Sequence, residues 1–460
     1  MKKITKKLMG LILICTMIVS MTACGKKSEV VKDTATDTQS DVATTETVAA
    51  DTTEATAEEV STEPVTIKVF SNLPDRTTGQ GFLEQQIIDS YMAANPNVTI
   101  EVEALQDEAY KTKFTAYTAS NNLPDVVSVW GQPAFIDPVI NSGYLAELNA
   151  DDYANYNFVE GSMNGFSKDG KIYGLPRNTD IFGIFYNKQI FADNGLTVPT
   201  TMDELYAITD KLNAANITPC SMDGQDKWPI ACAYTDFVMK TTGDNTLLAK
   251  AVSTGDFSDP GLKKAADEMK ILMDKKFFQT SFLSADYGAA RNLFAQGKAA
   301  MFYMGSWEMS MATDEAIDES VRSQIGVFGL PITNGSTAKA TDLAAWNGGG
   351  HAVSANSPVK EEAIKFLNYM YAPENWAKGA WQNGICIPAQ TFDEFLTGKE
   401  TEVQLAFVDM FAKATSISGT PINDLGTPTF KTMSEDLSQE FAAGMVDADG
   451  FLKGIGDALK

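Results

Sequence analysis

Two periods of apolar and polar positions alternate along this chain. Val65 to Ser71 (VTIKVFS) has the β-branched alternation of a strand. Gly81 to Ala94 instead carries apolar residues at Phe82, Ile87, Ile88, Tyr91 and Met92, a helical spacing that stops at Asn95-Pro96. The same reading predicts strands at Val98–Val102, Asp125–Trp130, Ala299–Tyr303 and Ile325–Phe328. It predicts helices over Tyr110–Ser120, Phe135–Ser142, Met202–Asn213, Lys263–Asp274, Tyr287–Gln296 and Lys360–Tyr371, with Thr200-Thr201 as cap candidates for the third. Strands and helices taking turns in this way predict α/β layers with largely parallel sheets. No repeat of solenoid type is visible.

The first 64 residues follow neither period. Lys2, Lys3, Lys6 and Lys7 form a cationic start, Leu8 to Met21 is apolar, and the small residues Thr22 and Ala23 precede Cys24. That order is a secretory signal, too short and wrongly flanked for a spanning helix. The run Met21-Thr22-Ala23-Cys24-Gly25 resembles a bacterial lipobox, with Met21 in place of the usual Leu. It predicts residues 1–23 as a lipoprotein signal and Cys24 as the lipidated first residue of the mature chain; Cys15 would leave with the signal. Asp33 to Glu63 holds nine acidic residues, ten Thr and six Ala, with no basic residue, aromatic or Gly. Such a segment buries too little apolar surface to offset the entropy of ordering it, so residues 24–64 read as a lipidated, acidic, disordered tether.

Composition narrows the function. The chain has 460 residues, 44% of them hydrophobic, which is ample for a large core and for more than one domain. The formal charge of −24 argues against a nucleic-acid partner, since cationic neutralisation of phosphate dominates that affinity. A single histidine, His351, excludes a multi-histidine metal site. After Cys24 only Cys220, Cys232 and Cys386 remain, without a CxxC pair, so neither a disulfide framework nor a zinc site is supported. Cys220 and Cys232 are read as buried thiols, with a bond between them left open. No cofactor is implied, and no GxxxxGK[ST] phosphate loop is present.

After residue 64 a series of runs carries a family resemblance: NPNVTIEVE, LPDVVSVWGQP, SGYLAEL, GKIYGLPRNTDIFGIFYNKQIF, VPTTMDEL, FAQGKAAMFYMGSWEM, AWNGGGHAVSANSPVKEEAIKFLNYM and NGICIPA. In this order they resemble the carbohydrate-type extracellular solute-binding proteins (family 1) of ABC importers. The resemblance implies a two-lobed, periplasmic-binding-protein-like α/β clamshell, each lobe a mostly parallel sheet flanked by helices. It implies a first lobe of about 65–176 plus 331–372 and a second of 177–330 plus 373–460, with ligand held between them.

Sugar recognition has its own chemistry. A sugar presents C–H faces, which call for planar aromatic platforms, and a rim of hydroxyls, which calls for carboxylate, amide or guanidinium partners. Sites in open α/β sheets lie where loops follow strands. Trp130 ends the DVVSVW strand, Trp307 follows AAMFYMGS with Glu308 beside it, and Trp346-Asn347-Gly348 opens a run of three glycines through which backbone can approach a ligand. Trp228 lies in the loop DGQDKWPI. By resemblance, Trp130 and Trp307 line the cleft, Asp75 and Arg76 reach into it from the loop after the first strand, and Asp180 is an acidic contact at the start of lobe two. Glu84 is read as serving its helix dipole, Trp376 as packing, and His351 as a structural imidazole.

The expected function is capture of a sugar or oligosaccharide and its delivery to an ABC permease, from a lipid-anchored position on the outer face of the membrane. Two other readings stay open: a surface adhesin or sensor of the same fold, and a glycoside hydrolase. The latter would need two carboxyl groups roughly 5–9.5 Å apart.

Overall fold

Two sheets covered by helices account for the buried apolar positions. The computed structural model describes residues 63–460; the expectations for the signal, Cys24 and most of the tether lie outside them. The strands used below are β1 (Val65–Ser71), β2 (Val98–Ala104), β3 (Val126–Trp130), β4 (Leu175–Pro176), β5 (Thr179–Asn187), β6 (Thr218–Ser221), β7 (Ala299–Gly305), β8 (Ile325–Phe328), β9 (Ala345–Asn347) and β10 (Gly349–Val353). The helices are α1 (Gly79–Ala94), α2 (Asp107–Ala119), α3 (Pro133–Asn141), α4 (Trp228–Thr242), α5 (Tyr287–Ala295) and α6 (Pro428–Ala442).

The first sheet runs β2-β1-β3-β10-β4, and the second β8-β5-β7-β6 with β9 beside the start of β5. Both are mixed rather than largely parallel. β1 pairs in parallel with β2 and β3, but β10 is antiparallel to β3 and β4. In the second sheet only β6 and β7 run parallel, while β5 is antiparallel to both β7 and β8. The reason is that chain crossings between the sheets bring β5, β9 and β10 in from the opposite end, a topology that local periodicity does not encode.

Most predicted elements are present, their ends moved by a few residues. Helix Lys360–Tyr371 and strand Ile325–Phe328 have the expected bounds. Helix Met202–Ala214 starts at a capping box, in which the Thr201 hydroxyl accepts from the Glu204 backbone and the Glu204 carboxylate accepts from the Thr201 N–H. The first sheet is packed on both faces, with Ile67, Val69, Phe366 and Trp376 in one core and Phe70, Val127, Tyr110 and Phe166 in the other. The second sheet centres on β5 and β7, both buried along almost their whole length.

The crossings fix where the site lies. β4 pairs with β10 in the first sheet through Pro176, and three residues later Thr179 pairs with Asn347 in the second. The return crossing is Gly348, between β9 and β10. The expected first-lobe segment 331–372 is therefore divided: Leu343–Ala345 belong to the second core, and only from Gly349 onward does the chain join the first sheet. Trp376 and Ala380 likewise pack in the first core, beyond the expected limit at 372. A third strap, Ile387–Ala389, lies against the first, with Thr179 N–H donating to Ile387 O at 3.0 Å and Ala389 N–H to Arg177 O at 3.2 Å. Among the described residues no helix is long and apolar enough to cross a membrane.

Candidate functional site

A cavity of about 430 Å³ opens between the two sheets, at the ends of the strands beside these crossings. On one flank α1 touches the Ser306–Ala312 turn; on the other α3 touches Ile422–Asp424 and α6. Asp75, Trp130, Asp180, Trp228, Trp307, Glu308, Trp346 and Gly348 all line it.

Its second-sheet wall is aromatic. The Trp307 ring centroid lies 5.9 Å from Trp228 and 6.2 Å from Trp346, with Phe182 behind them at 6.4 Å from Trp307 and 6.3 Å from Trp346. Trp307 lies flat on the end of β7: a Cβ on Gly305 would fall 2.0 Å from its ring, so only glycine admits this approach. Its indole N–H donates to Tyr287 Oη at 2.9 Å. The Tyr287 hydroxyl donates in turn to Glu308, whose other oxygen accepts from Arg291 Nε at 2.9 Å; Arg291 Nη2 also reaches Asp314 at 3.0 Å. Tyr287 and Arg291 sit one turn apart on α5, so a single helix face holds both Trp307 and Glu308 in place. Trp228 is the first residue of α4, not a loop residue as expected, and Pro229 at the second helical position suits that start.

The first-sheet wall carries Trp130, edge-on to Phe135 at 5.0 Å and to Tyr110 at 5.6 Å, with Lys111 Nζ 5.4 Å from its ring centroid. Asp75 stands at the mouth, where burial pushes its carboxyl up but the Thr77 hydroxyl and backbone N–H outweigh this and hold it below its ordinary value.

Asp180 lies at the floor. Burial raises its carboxyl to about 7, against the lowering effects of a hydrogen bond from Asn178 and the charge of Arg177. The glycine run serves this packing. A Cβ on Gly348 would sit 1.8 Å from Asp180 Oδ2, and one on Gly349 would sit 2.2 Å from Arg177 Nη2. The close approach predicted there is thus made by the protein's own side chains.

Two predicted site residues face elsewhere. Arg76 does not line the cavity; it is ion-paired with the buried Glu84 and donates from Nε to Gln85 at 3.2 Å. Asn347 holds the crossing together: its carbonyl accepts from Gln132 Nε2 at 3.0 Å and its amide donates to Gly161 O at 3.3 Å. Glu84 serves no helix dipole, being fully buried and bonded to His351 Nε2 at 2.8 Å. Burial alone would raise Glu84, but His351 and Arg76 hold it at about 2. Burial lowers His351, against the raising effect of Glu84, and its ring bridges Glu84 through Nε2 and Tyr371 Oη through Nδ1 at 2.9 Å. His351 and Trp376 are structural, as expected, the latter donating to Arg177 O at 2.8 Å. Cys220, Cys232 and Cys386 are free and buried.

Sequence reasoning missed Arg177, Asn178, Tyr287, Arg291, Asn423 and Lys431, all on the cavity wall. The four-residue spacing of Tyr287 and Arg291 was a usable signal; nothing local marks Asn423 or Lys431, which come from the C-terminal part of the chain. Asn178 Oδ1, Trp228 Nε1 and Asn423 Oδ1 are buried without a hydrogen-bond partner. Among the described residues no group of His, Cys, Asp and Glu is arranged to hold a metal ion.

Comparison with known proteins agrees with this architecture. The multiple sugar-binding protein of Streptococcus mutans is 26% identical over 297 residues, covering 62% of this chain and 67% of its own. A solved structure connected with xylan utilization by the thermophilic bacterium Caldanaerobius polysaccharolyticus superposes with a TM-score of 0.78 at 23% identity, covering 85% of this chain and 99% of the other. A chitin oligosaccharide binding protein superposes at 0.76 and 23% identity, covering 86% and 98%. Residues 74–375 match the bacterial extracellular solute-binding protein family, a family of receptors rather than enzymes, and the chain belongs to it.

Proposed function

We propose that this protein captures a short oligosaccharide between its two lobes and hands it to the permease of an ABC importer, held at the outer face of the membrane by a lipid on Cys24. One observation carries the ligand class: Trp228, Trp307 and Trp346 form a continuous wall, Trp130 stands on the opposite lobe, and hydrogen-bonding groups fill the gaps between them. Indole faces suit the C–H faces of a pyranose, and amide and carboxylate groups suit its rim. The cavity volume of about 430 Å³ falls within the range of small-ligand sites. The relative named as a multiple sugar-binding protein supports the same class.

The mechanism follows from the crossings. Three side-by-side straps at Arg177–Thr179, Asn347–Gly349 and Ile387–Ala389 link the lobes. Bending there separates the walls, and ligand, touching both only when they meet, shifts the population toward the closed form. Titration calorimetry against mono- to tetrasaccharides tests the reading. Saturable binding of at least one is expected, and binding of none would remove the proposal. Trp130, Trp228, Trp307 and Trp346 are assigned to the sugar faces, with Asp75, Asp180 and Glu308 near the rim and Gly348 making room for Asp180.

A further inference from the structure

We infer, on the reading that the cleft binds a glycan, that Arg177 is the polar anchor of the site: its guanidinium donates to an acceptor oxygen of the bound sugar at the floor of the cleft. This adds a ligand contact on the first strap to the aromatic platforms and the rim carboxylates.

Arg177 opens that strap and is only 3% exposed. Its main chain ties the straps together: its N–H donates to Gly349 O at 2.9 Å, and its carbonyl accepts from Ala389 N–H at 3.2 Å and from Trp376 Nε1 at 2.8 Å. The side chain is far less satisfied. A guanidinium carries five N–H donors in a fixed planar fork. Nη1 donates to Asn72 Oδ1 at 3.1 Å, but neither Nε, which is buried, nor Nη2 has an acceptor, although the residue lines the cavity.

The other cations of the cavity wall are each matched by carboxylates. Lys431 Nζ lies 2.8 Å from Asp424 and 2.6 Å from Glu435, Arg291 holds Glu308 at 2.9 Å and Asp314 at 3.0 Å, and Lys111 holds Glu108 at 2.6 Å. Among the described residues Arg177 has no such partner. Asp180 does not fill the place: it accepts from Asn178, and burial raises its carboxyl to about 7 despite the charge of Arg177. A charge taken out of water is tolerated only when hydrogen bonds or an opposite charge replace the water. Here the protein supplies one side-chain hydrogen bond and leaves the Nε–Nη2 edge open. The next residue contributes the converse group, since Asn178 Oδ1 is a buried acceptor without a donor. Two neighbouring sugar hydroxyls and a uronate carboxylate both present paired oxygens to such an edge; only the hydroxyls can also donate to Asn178.

Arg177→Met keeps an unbranched apolar stem and removes the fork. In calorimetry with maltotriose, xylotriose, raffinose and trigalacturonate, it should weaken the tightest of the four at least ~10-fold. The ligand-free melting temperature should hold or rise, because a buried charge without a counter-charge is gone. Arg177→Lys returns the charge without the Nε–Nη2 edge, and should leave that affinity low. If the Met variant melts early, the Lys variant should melt like the wild type and still bind weakly. Wild-type affinity in the Met variant, recovery of affinity along with stability in the Lys variant, or early melting of both would return Arg177 to a structural role at the straps, with the glycan reading intact. The wild-type order names the oxygen: a neutral sugar tightest makes it a hydroxyl, and trigalacturonate tightest makes it a carboxylate. Binding of none of the four by the wild type would overturn the glycan reading and the anchor with it.

Discussion

At the scale of single residues, position in the fold separates platform from filler. Six tryptophans look alike in sequence. Trp376 and Trp381 are fully buried, whereas Trp307 is half-buried, with its N–H held by Tyr287 and its ring on the cavity wall. Trp307→Ala should weaken the best sugar's binding by about 2 kcal/mol or more, the usual cost of truncating an aromatic anchor. Calorimetry with the melting temperature recorded alongside checks this; full affinity in the variant would return Trp307 to the core. Asp180 gives a prediction in pH. Its carboxyl titrates near 3.8 when exposed and at about 7 in the fold. The stability tied to its protonated form is therefore complete below pH 4 and is lost as pH rises through 7. Asp180→Asn should remove that loss, amounting to a few kcal/mol by the unit-shift conversion. Urea unfolding at pH 4.5 and 7.5 should show a smaller pH effect in the variant than in the wild type; equal slopes would mean Asp180 ionises freely.

Elements were legible where a segment has one buried face and were missed where it has two. β1 and β2 alternate and were predicted with nearly their observed bounds, as were the amphipathic helices. β5, TDIFGIFYN, is the central strand of the second sheet and was not marked, because a strand buried on both faces loses its alternation. α4 is buried all round, and its start was read as loop for the same reason. The aromatic half of the site was readable because Trp130 ends β3, Trp307 follows β7 by two residues and Trp346 lies in the short β9 before the glycine run. The polar half was not, since Asn423 and Lys431 reach the cavity only through a distant fold-back. The glycine crossing is testable at this scale. Gly348→Ala places a methyl 1.8 Å from Asp180 Oδ2 and 2.9 Å from Asn178 Nδ2, so both must move. The expected cost is about 1–3 kcal/mol of stability, as for overpacking elsewhere, together with a loss of ligand affinity. An unchanged denaturation midpoint would show that the strap has slack the close contacts deny.

For the whole molecule, the question is whether ligand closes the cleft or merely occupies it. The flanks already touch, α1 on the Ser306–Ala312 turn and α3 on Ile422–Asp424, so the two lobes meet on both sides of the cavity. As the lobes stand, Asn178 Oδ1, Trp228 Nε1 and Asn423 Oδ1 are buried unpaired, and each such group costs about 1–3 kcal/mol. That penalty favours an open form in which water reaches them. A bound sugar replaces the water, and only then does the closed form win. Small-angle X-ray scattering on a chain starting at Pro64 should therefore show a larger radius of gyration without ligand than with a saturating sugar taken from the calorimetric screen. The same sugar at 100 times its Kd should add about 2.7 kcal/mol of apparent stability, since it binds only the folded chain. The two readouts divide the outcomes. Stabilisation together with compaction supports a hinge set by the three straps. Stabilisation at constant radius would mean that the lobes are fixed and ligand enters a preformed pocket, which would remove hinge closure from the mechanism while leaving the binding site intact.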